Sequence, residues 1–318
     1  MLATLVRAQL AAELFLYLAL GSWLSAAHGW SVPALLAAAA ATGLAVRALI
    51  VGTSATISYV VRSPRTKDQQ LGPGGTLRLL AGEWRAMLAD NLWFLPWEAS
   101  AVRADPPLRR DSGLPVLLVH GYLSNRGLMH GLIRALEEAG APQVFTFNFR
   151  GVFAPIDALV GQLDGQVRRV AEATGQERVV LVCHSMGGLV ARAWLAKHGP
   201  HRVARLVTIA SPHNGTALAR LGLGANARQM GRESKFLRDL RAGEGERGPG
   251  CAATSIYSVH DNLVAPQDTS CLPWATNVAV AGVGHVEILD AEPVHRLVVD
   301  ALRDSGVALR DSGVALRD

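Results

Sequence analysis

Residues 177–199 read ERVVLVCHSMGGLVARAWLAKHG, and this stretch determines the predicted fold. Its β-branched part, 179–183, predicts a strand, and 187–198 is typical of a helix. Only three residues separate the two, so the chain turns sharply and exposes the Ser185 hydroxyl at the carboxyl end of the strand. Cys183 stands where G-x-S-x-G turns carry their first glycine, a mild departure because cysteine is small. We interpret Ser185 as a nucleophile; an ordinary serine in a glycine-rich turn is the alternative.

Short apolar runs alternate with helical patterns on both sides of this turn. Strands are predicted at 116–119, 144–149, 179–183, 203–209, 255–259 and 277–281, and helices at 127–139, 156–173 and 187–198. Alternation of this kind favours a mostly parallel sheet that is covered by helices on both faces. The predicted fold class is therefore α/β, over a domain of residues 114–302.

The acid that supports the nucleophile is expected downstream of it. A serine hydroxyl is a weak nucleophile at neutral pH and needs a base. On a strand–turn–helix elbow the chain order is serine, then Asp or Glu, then histidine. Asp261 directly follows the strand predicted at 255–259, whereas its competitor Asp268 lies farther from the strand end. We therefore expect Asp261 to be the acid.

Three histidines in the last part of the chain are candidates for the base. His285 lies in a glycine-containing loop after the strand predicted at 277–281, and catalytic groups gather at such carboxyl ends. His260 is interpreted as structural, and His295 as a packed or solvated residue of a terminal helix. We predict that His285 is the general base and acid, with Asp261 holding its tautomer.

Backbone N–H groups are expected to stabilise the oxyanion of an acyl-transfer intermediate. One donor should be Met186, directly after the candidate nucleophile. The other should come from the loop that follows strand 116–119, where Tyr122 comes after His120 and Gly121. His120 itself is interpreted as an organiser of this loop.

Five stretches together resemble the true bacterial lipases and their α/β-hydrolase relatives. They are VLLVHGYLSN, VVLVCHSMGGLVAR, LVTIASPHNGT, SVHDNLVAP and GVGHVEIL, in that order along the chain. The resemblance covers roughly residues 114–303. It implies an α/β-hydrolase fold and hydrolysis of carboxylic esters, with Ser185, Asp261 and His285 matching the family triad and Tyr122 matching the second oxyanion donor.

The resemblance also bears on the cysteines and on metal binding. Cys251 and Cys271 flank Asp261, much as a disulfide flanks the catalytic aspartate in some secreted lipases; from the residues alone, a disulfide and two free thiols are equally open. Those lipases hold calcium near the histidine loop through aspartates, but Glu287 stands where an aspartate would be expected. No CxxC spacing indicates zinc. Neither a metal ion nor another cofactor is expected.

The first 62 residues are predicted to form a transmembrane helical hairpin. Residues 8–27 contain a single charge, Glu13, and 32–61 contain only Arg47, so each segment approaches the length and polarity of a span. The turn between them carries no Arg or Lys, whereas basic residues flank both outer ends, which places both ends and the hydrolase domain in the cytoplasm. A signal peptide cleaved after Ala27 and a buried hairpin of a soluble protein are the alternatives.

The other segments are less regular. Residues 63–113 are predicted to be a linker and an amphipathic helix around 77–95 that packs on the domain or lies on a bilayer. Residues 216–250 are interpreted as a lid over the site or as a structural insertion. The tail, 303–318, repeats LRDSGVA and is interpreted as a recent tandem duplication.

Three functions are compatible with these patterns. The first is a serine hydrolase of acyl esters or lipids at a membrane. The second is an acyltransferase or thioesterase on the same scaffold, since the triad chemistry is shared. The third is a non-catalytic membrane scaffold, which an intact Ser–Asp–His set disfavours. No basic run alternates with aromatic residues, so nucleic-acid binding is not expected. The sequence leads to no prediction of oligomeric state.

Overall fold

The computed structural model describes residues 1–103, 105–106, 113–141, 143–303 and 305–309. Within them, one sheet of six parallel strands has the order β2-β1-β3-β4-β5-β6. The strands are β1 (Val116–Val119), β2 (Val144–Thr146), β3 (Val179–His184), β4 (Val203–Ile209), β5 (Ala252–Ser258) and β6 (Thr276–Val280). The predicted α/β class is confirmed.

Ten α-helices are described. They are α1 (Leu2–His28), α2 (Val32–Val61), α3 (Pro73–Ala89), α4 (Glu98–Ala101), α5 (His130–Glu138), α6 (Ile156–Thr174), α7 (Met186–His198), α8 (Gly224–Gln229), α9 (Lys235–Glu244) and α10 (Glu292–Arg303). Helices α5 and α10 cover one face of the sheet, and α6, α7 and α9 cover the other. Every residue of β1 and β3 is buried, as expected for central strands with helices on both faces.

Two elements near the carboxyl ends of strands differ from their predicted bounds, and strand β5 also begins three residues earlier than predicted. Strand β2 ends at Thr146 because the next residues leave the ladder to bind the loop after β1: the Phe149 N–H donates to His120 Nε2 at 3.1 Å. The helix predicted at 127–139 is a 3-10 turn, Arg126–Met129, that continues as α5. Both differences lie at the carboxyl ends of strands, where the loops are shaped by contacts that the local sequence does not encode.

The helices α1 and α2 form an antiparallel hairpin that is long and apolar enough to cross a membrane. Only 6% and 11% of the residues in their most apolar windows are buried. A core helix of a soluble protein is mostly buried, so the structure disfavours the buried-hairpin alternative. Length and apolar composition do not distinguish a membrane span from a signal sequence.

Polar contacts join this hairpin to the segment that follows it. Arg47 of α2 forms an ion pair with Glu13 of α1 at 2.8 Å and donates to the Asn91 side chain at 2.7 Å. The Trp84 indole of α3 donates to the Leu44 carbonyl oxygen at 3.2 Å. Helix α3 therefore lies along α2. It begins four residues before the predicted range of 77–95 and continues as the π-helical turn Asp90–Phe94, which lies inside that range.

The segment 216–250 divides into two parts. Helix α9 packs on α7, and its Glu244 forms a buried ion pair with Arg192 at 2.6 Å, so this part is a structural insertion. The 3-10 turn Ala217–Leu221 and the residues after it lie instead beside the loop that follows β1. Most of the predicted repeat tail, 303–318, lies outside the described residues.

Candidate active site

Ser185 occupies a strained turn between β3 and α7. Its φ of 53° and ψ of −125° lie in a region that residues with a side chain seldom adopt. The turn also needs glycine where strand ends approach it: a Cβ on Gly187 would lie 2.6 Å from the Val119 carbonyl oxygen, and one on Gly188 would collide with the Ser211 hydroxyl. The structure thus holds the Ser185 hydroxyl at the carboxyl edge of the sheet.

The structure brings Ser185, His285 and Asp261 together in one hydrogen-bonded chain. His285 Nε2 lies 3.0 Å from Ser185 Oγ, and His285 Nδ1 lies 2.8 Å from Asp261 Oδ2. The other carboxylate oxygen of Asp261 accepts the N–H groups of Leu263 and Val264, both at 2.7 Å. All members of the chain are buried, so the imidazole is held between a hydroxyl and a fixed carboxylate.

Asp268, the competitor for the acid, lies elsewhere. It is exposed in the 3-10 turn Gln267–Ser270 and takes no part in the hydrogen-bonded chain. Its backbone N–H donates to the Ser63 hydroxyl at 3.0 Å.

Electrostatics distinguish His285 from its neighbours. Burial lowers the pKa of His285, but the Asp261 carboxylate and, more weakly, Glu83 raise it, with a net upward shift. Burial lowers the pKa of His120 to about 4 and holds the pKa of His184 well below its usual range. Of these three histidines, His285 is the one whose pKa is raised, and its Nε2 faces the Ser185 hydroxyl.

The two histidines that were interpreted as structural have backbone partners. His260 Nδ1 accepts the Gly282 N–H at 3.1 Å, and burial lowers the pKa of His260 to about 4. His295, in α10, lies 2.7 Å from the Leu289 carbonyl oxygen. Neither contacts Ser185.

The candidate oxyanion donors lie on the two sides of Ser185. Met186 is the first residue of α7, and Tyr122 follows Gly121, whose added Cβ would lie 3.4 Å from Ser185 Oγ. Within the described chain, neither backbone N–H donates to another protein group. His120 organises this loop, as predicted: one ring nitrogen accepts the Phe149 N–H and the other lies 3.0 Å from the Gly121 carbonyl oxygen.

A cleft opens beside Ser185. Its lining includes Gly121, Leu123, Phe149 and Met186, and it extends to the first residues of α1. The start of the apolar hairpin therefore lies at the same edge of the sheet as the candidate nucleophile.

Cys251 and Cys271 are free thiols in the structure. Cys251 precedes β5, whereas Cys271 interacts with Tyr257 near the other end of that strand. The Ser255 hydroxyl of β5 donates to the Ser270 carbonyl oxygen at 2.7 Å, so Cys271 lies beside the strand about four residues from Cys251. A strand rises about 3.3 Å per residue, and the resulting separation of roughly 13 Å is beyond the reach of a disulfide. The pairing that the resemblance implied is therefore absent here.

Glu83 is a residue of the site that the sequence analysis missed. Its buried carboxylate accepts the N–H groups of Val286 and Glu287, directly after His285, at 3.0 Å. The sequence does contain a signal for it, because Glu83 lies three residues after Leu80 and is a charged residue on the otherwise apolar stripe of α3. Across the described residues, no group of three or more His, Cys, Asp or Glu side chains is placed to hold a metal ion.

Known proteins resemble this chain over part of its length. The family profile described as alpha/beta hydrolase fold matches residues 115–249, which include Ser185 and Tyr122 but neither Asp261 nor His285. A triacylglycerol lipase of Pseudomonas fragi is 32% identical over 33% of this chain and 36% of its own length. A lysosomal thioesterase of Mus musculus is 31% identical over 43% of this chain and 47% of its own length. The chain thus spans less than half the length of these curated relatives.

Solved structures agree on the fold. Aspergillus fumigatus lipase B is 21% identical and superposes with a TM-score of 0.56, covering 65% of this chain and 56% of the lipase. The chain has the α/β-hydrolase fold, and the resemblance to bacterial lipases is confirmed.

The geometry predicts different effects for two aspartates. Asp261→Asn should lower kcat by roughly 10⁴-fold, because the amide disfavours the imidazole tautomer that can accept a proton from Ser185. Asp268→Asn, the matched control, should leave kcat within about 3-fold of wild type, as expected for an exposed side chain away from the site. Steady-state hydrolysis of a p-nitrophenyl ester measures both. A larger loss in Asp268→Asn would reassign the acid.

Proposed function

We propose that the chain is a membrane-anchored serine hydrolase that cleaves carboxylic esters through an acyl-enzyme intermediate. The observation that carries the proposal is the hydrogen-bonded chain from Ser185 through His285 to Asp261 beside two unpaired backbone N–H groups. Binding alone requires no such arrangement, which argues against a non-catalytic scaffold. The likeness to lipases and thioesterases supports the same chemistry.

Each side chain has a defined part in the proposed reaction. Ser185 Oγ attacks the ester carbonyl carbon while His285 Nε2 takes the hydroxyl proton, and Asp261 stabilises the imidazolium that forms. The N–H groups of Met186 and Tyr122 bind the oxyanion of the tetrahedral intermediate. His285 then returns the proton to the leaving alkoxide, and the acyl group stays on Ser185. Water, activated by His285, hydrolyses the acyl-enzyme in the second half of the reaction.

The nucleophile is tested by labelling. Ser185→Ala should abolish covalent labelling by a fluorophosphonate and lower ester hydrolysis by about 10³-fold or more, because no acyl-enzyme can form. Mass spectrometry of the wild-type adduct should place the label on Ser185. Ser211→Ala is a matched control, since Ser211 is buried nearby but its hydroxyl lies against Gly188 rather than His285. Labelling that persists in Ser185→Ala would refute the assignment.

A second candidate reaction is thioester hydrolysis, and the similarity to a lysosomal thioesterase favours it. The same triad would act on a thioester, with a thiolate as leaving group. Acyl transfer to an alcohol differs only in the acceptor. Rates on matched oxygen esters and thioesters, with and without an added alcohol, separate the three reactions.

The membrane anchor rests on the hairpin of α1 and α2. In the proposed topology both ends of the hairpin and the hydrolase domain are cytoplasmic, because Arg7 lies at the start of α1, ahead of the apolar stretch 8–27, and Arg62, Arg65 and Lys67 follow α2, while the turn has no Arg or Lys.

Reporter fusions test this topology. Alkaline phosphatase joined after Lys67 should be inactive and a fluorescent protein joined there should fluoresce, since both would lie in the cytoplasm. Phosphatase joined in the turn at His28 should be active. Phosphatase activity after Lys67 would instead indicate a signal peptide or a single span.

Exposed apolar side chains around the cleft support a lipid substrate. Among the described residues from 113 onward, the large apolar side chains that are exposed are Leu123, Phe153, Leu221 and Leu223, which we call the apolar rim. Leu123 lines the cleft, and the Tyr122 hydroxyl holds the Leu223 backbone at 2.8 Å and 2.9 Å. The turn Ala217–Leu221 also packs against α2. The rim is therefore continuous with the hairpin, and a bilayer would contact both.

The proposed substrate is an acyl ester drawn from the bilayer. Medium or long acyl chains should be preferred over acetate, because each buried methylene contributes about 0.8 kcal/mol. A variant that combines Leu221→Ser and Leu223→Ser should lower the rate on esters in vesicles by about 10-fold, because two exposed leucines can no longer contact the lipid. The rate on a soluble short-chain ester should be unchanged. A preference for acetyl esters and no activity on vesicles would favour a general esterase.

A further inference from the structure

The helices that precede the sheet contact both loops that carry the proposed triad. We propose that Glu83 of α3, with Ser54 and Ser58 of α2, positions His285 and Asp261 for catalysis. The inference rests on the proposed function and adds residues that lie outside the part of the chain matched by the hydrolase family.

Glu83 holds the loop that carries His285. One carboxylate oxygen accepts the N–H groups of both Val286 and Glu287 at 3.0 Å, and the other accepts the Val286 N–H at 3.1 Å. A Cβ on Gly284 would collide with this carboxylate, so the loop approaches Glu83 as closely as a backbone can. Glu83 therefore contacts the loop on both sides of His285: Gly284 before it, and the N–H groups of the two residues after it.

The buried carboxylate has a clear physical role there. The loop from Val283 to Val286 belongs to no strand or helix, so its N–H groups have no ladder to satisfy them. Leaving such groups buried and unpaired costs about 1–3 kcal/mol each. Burial raises the pKa of Glu83, and the backbone donors oppose that shift by stabilising the ionised form.

Helix α2 holds the loop that carries Asp261. The Ser58 hydroxyl donates to the Asp261 carbonyl oxygen at 2.6 Å and accepts from the Gln267 side chain at 2.9 Å. Gln267 also donates to the same carbonyl oxygen at 2.8 Å. The backbone of Asp261 is therefore held from α2 while its carboxylate faces His285.

Asn262 connects the two loops and the helix. Its amide oxygen accepts the His285 N–H at 2.9 Å, and its amide nitrogen donates to the Ser54 hydroxyl at 2.9 Å. Ser54 and Ser58 lie one turn apart on the buried face of α2. The backbones of the proposed acid and base are thus both hydrogen-bonded into a network that includes an apolar N-terminal helix.

None of the three residues touches Ser185 or the cleft, so they act through His285 and Asp261. A misplacement of about 1 Å in catalytic groups can cost on the order of 10²-fold in rate. Other side chains line the cleft in which the substrate is proposed to bind. Loss of a positioning residue should therefore lower kcat and leave KM nearly unchanged.

The experiment compares full-length variants in detergent, with a soluble short-chain ester as substrate. Glu83→Ala should lower kcat by about 10- to 100-fold with KM within about 3-fold, because the loop around His285 loses its anchor. Glu83→Gln should recover kcat to within about 5-fold of wild type, since one amide oxygen can accept both N–H groups. The matched control is Arg78→Ala, which changes an exposed side chain of the same helix and should keep kcat within about 3-fold.

A second set of variants tests α2. The pair Ser54→Ala and Ser58→Ala should lower kcat by about 3- to 30-fold at constant KM, an estimate for partial misplacement of the acid and base. The control pair, Thr53→Ala and Thr56→Ala, changes exposed hydroxyls of the same turns and should have no such effect. Melting temperatures identify any variant that fails to fold. If Glu83→Ala fails to fold, the kcat of Glu83→Gln is compared with that of the wild-type chain.

Fluorophosphonate labelling separates this inference from the proposed function. If the wild-type chain is labelled on Ser185 but Glu83→Ala and the α2 pair react at the wild-type rate, the positioning role is refuted and the hydrolase stands. If Glu83→Gln is as slow as Glu83→Ala, the N–H bonds do not explain the role of Glu83 and the inference fails. If the wild-type chain is not labelled on Ser185, the proposed function itself is refuted.

Discussion

The backbone of Ser185, held at positive φ between β3 and α7, is the constraint on which the rest of the site depends. The turn closes only because its two glycines have no side chains. Gly187 lies against the end of β1, and Gly188 lies against Ser211, shortly after β4. Parallel strands bring their carboxyl ends to the same edge, so the loops after β5 and β6 arrive there as well. Those loops carry Asp261 and His285. A change in the turn would move the hydroxyl away from a base and an acid that are placed independently.

The site shows how local strain and distant support complement each other. Ser185 is held by its own turn, a feature of a few consecutive residues. His285 and Asp261 lie on irregular loops, and their backbones are held by side chains some 200 positions earlier in the chain. In proteins of this size, irregular loops without such support open more readily than the core. Ser185 is therefore held in place by its strand–turn–helix, whereas His285 and Asp261 are held by hydrogen bonds from residues that are distant in sequence.

This division explains what the sequence could predict. The six strands, the order Ser185–Asp261–His285 and the loop role of His120 follow from local patterns, namely β-branched runs and polar residues at their carboxyl ends. Glu83, Ser54 and Ser58 were not predicted, because their role depends on how α2 and α3 dock on loops that are remote in sequence. The separation of Cys251 from Cys271 likewise depends on the direction of β5 between them. The segment 216–250 was ambiguous because it combines a packed helix, α9, with an exposed apolar turn.

The contact between Glu13, Arg47 and Asn91 has a consequence for the order in which the chain assembles. An arginine within a hydrocarbon layer costs about 2.5–3.5 kcal/mol on insertion scales, and a neighbouring carboxylate offsets that cost. Glu13 is synthesised before Arg47, so its carboxylate is available to pair with the guanidinium as soon as α2 forms. Asn91 follows more than forty residues later and adds two hydrogen bonds to the same guanidinium. In the proposed membrane topology, Glu13 can neutralise Arg47 before residues 114–302 are synthesised, and the turn that carries Asn91 then contacts a guanidinium that already has a partner.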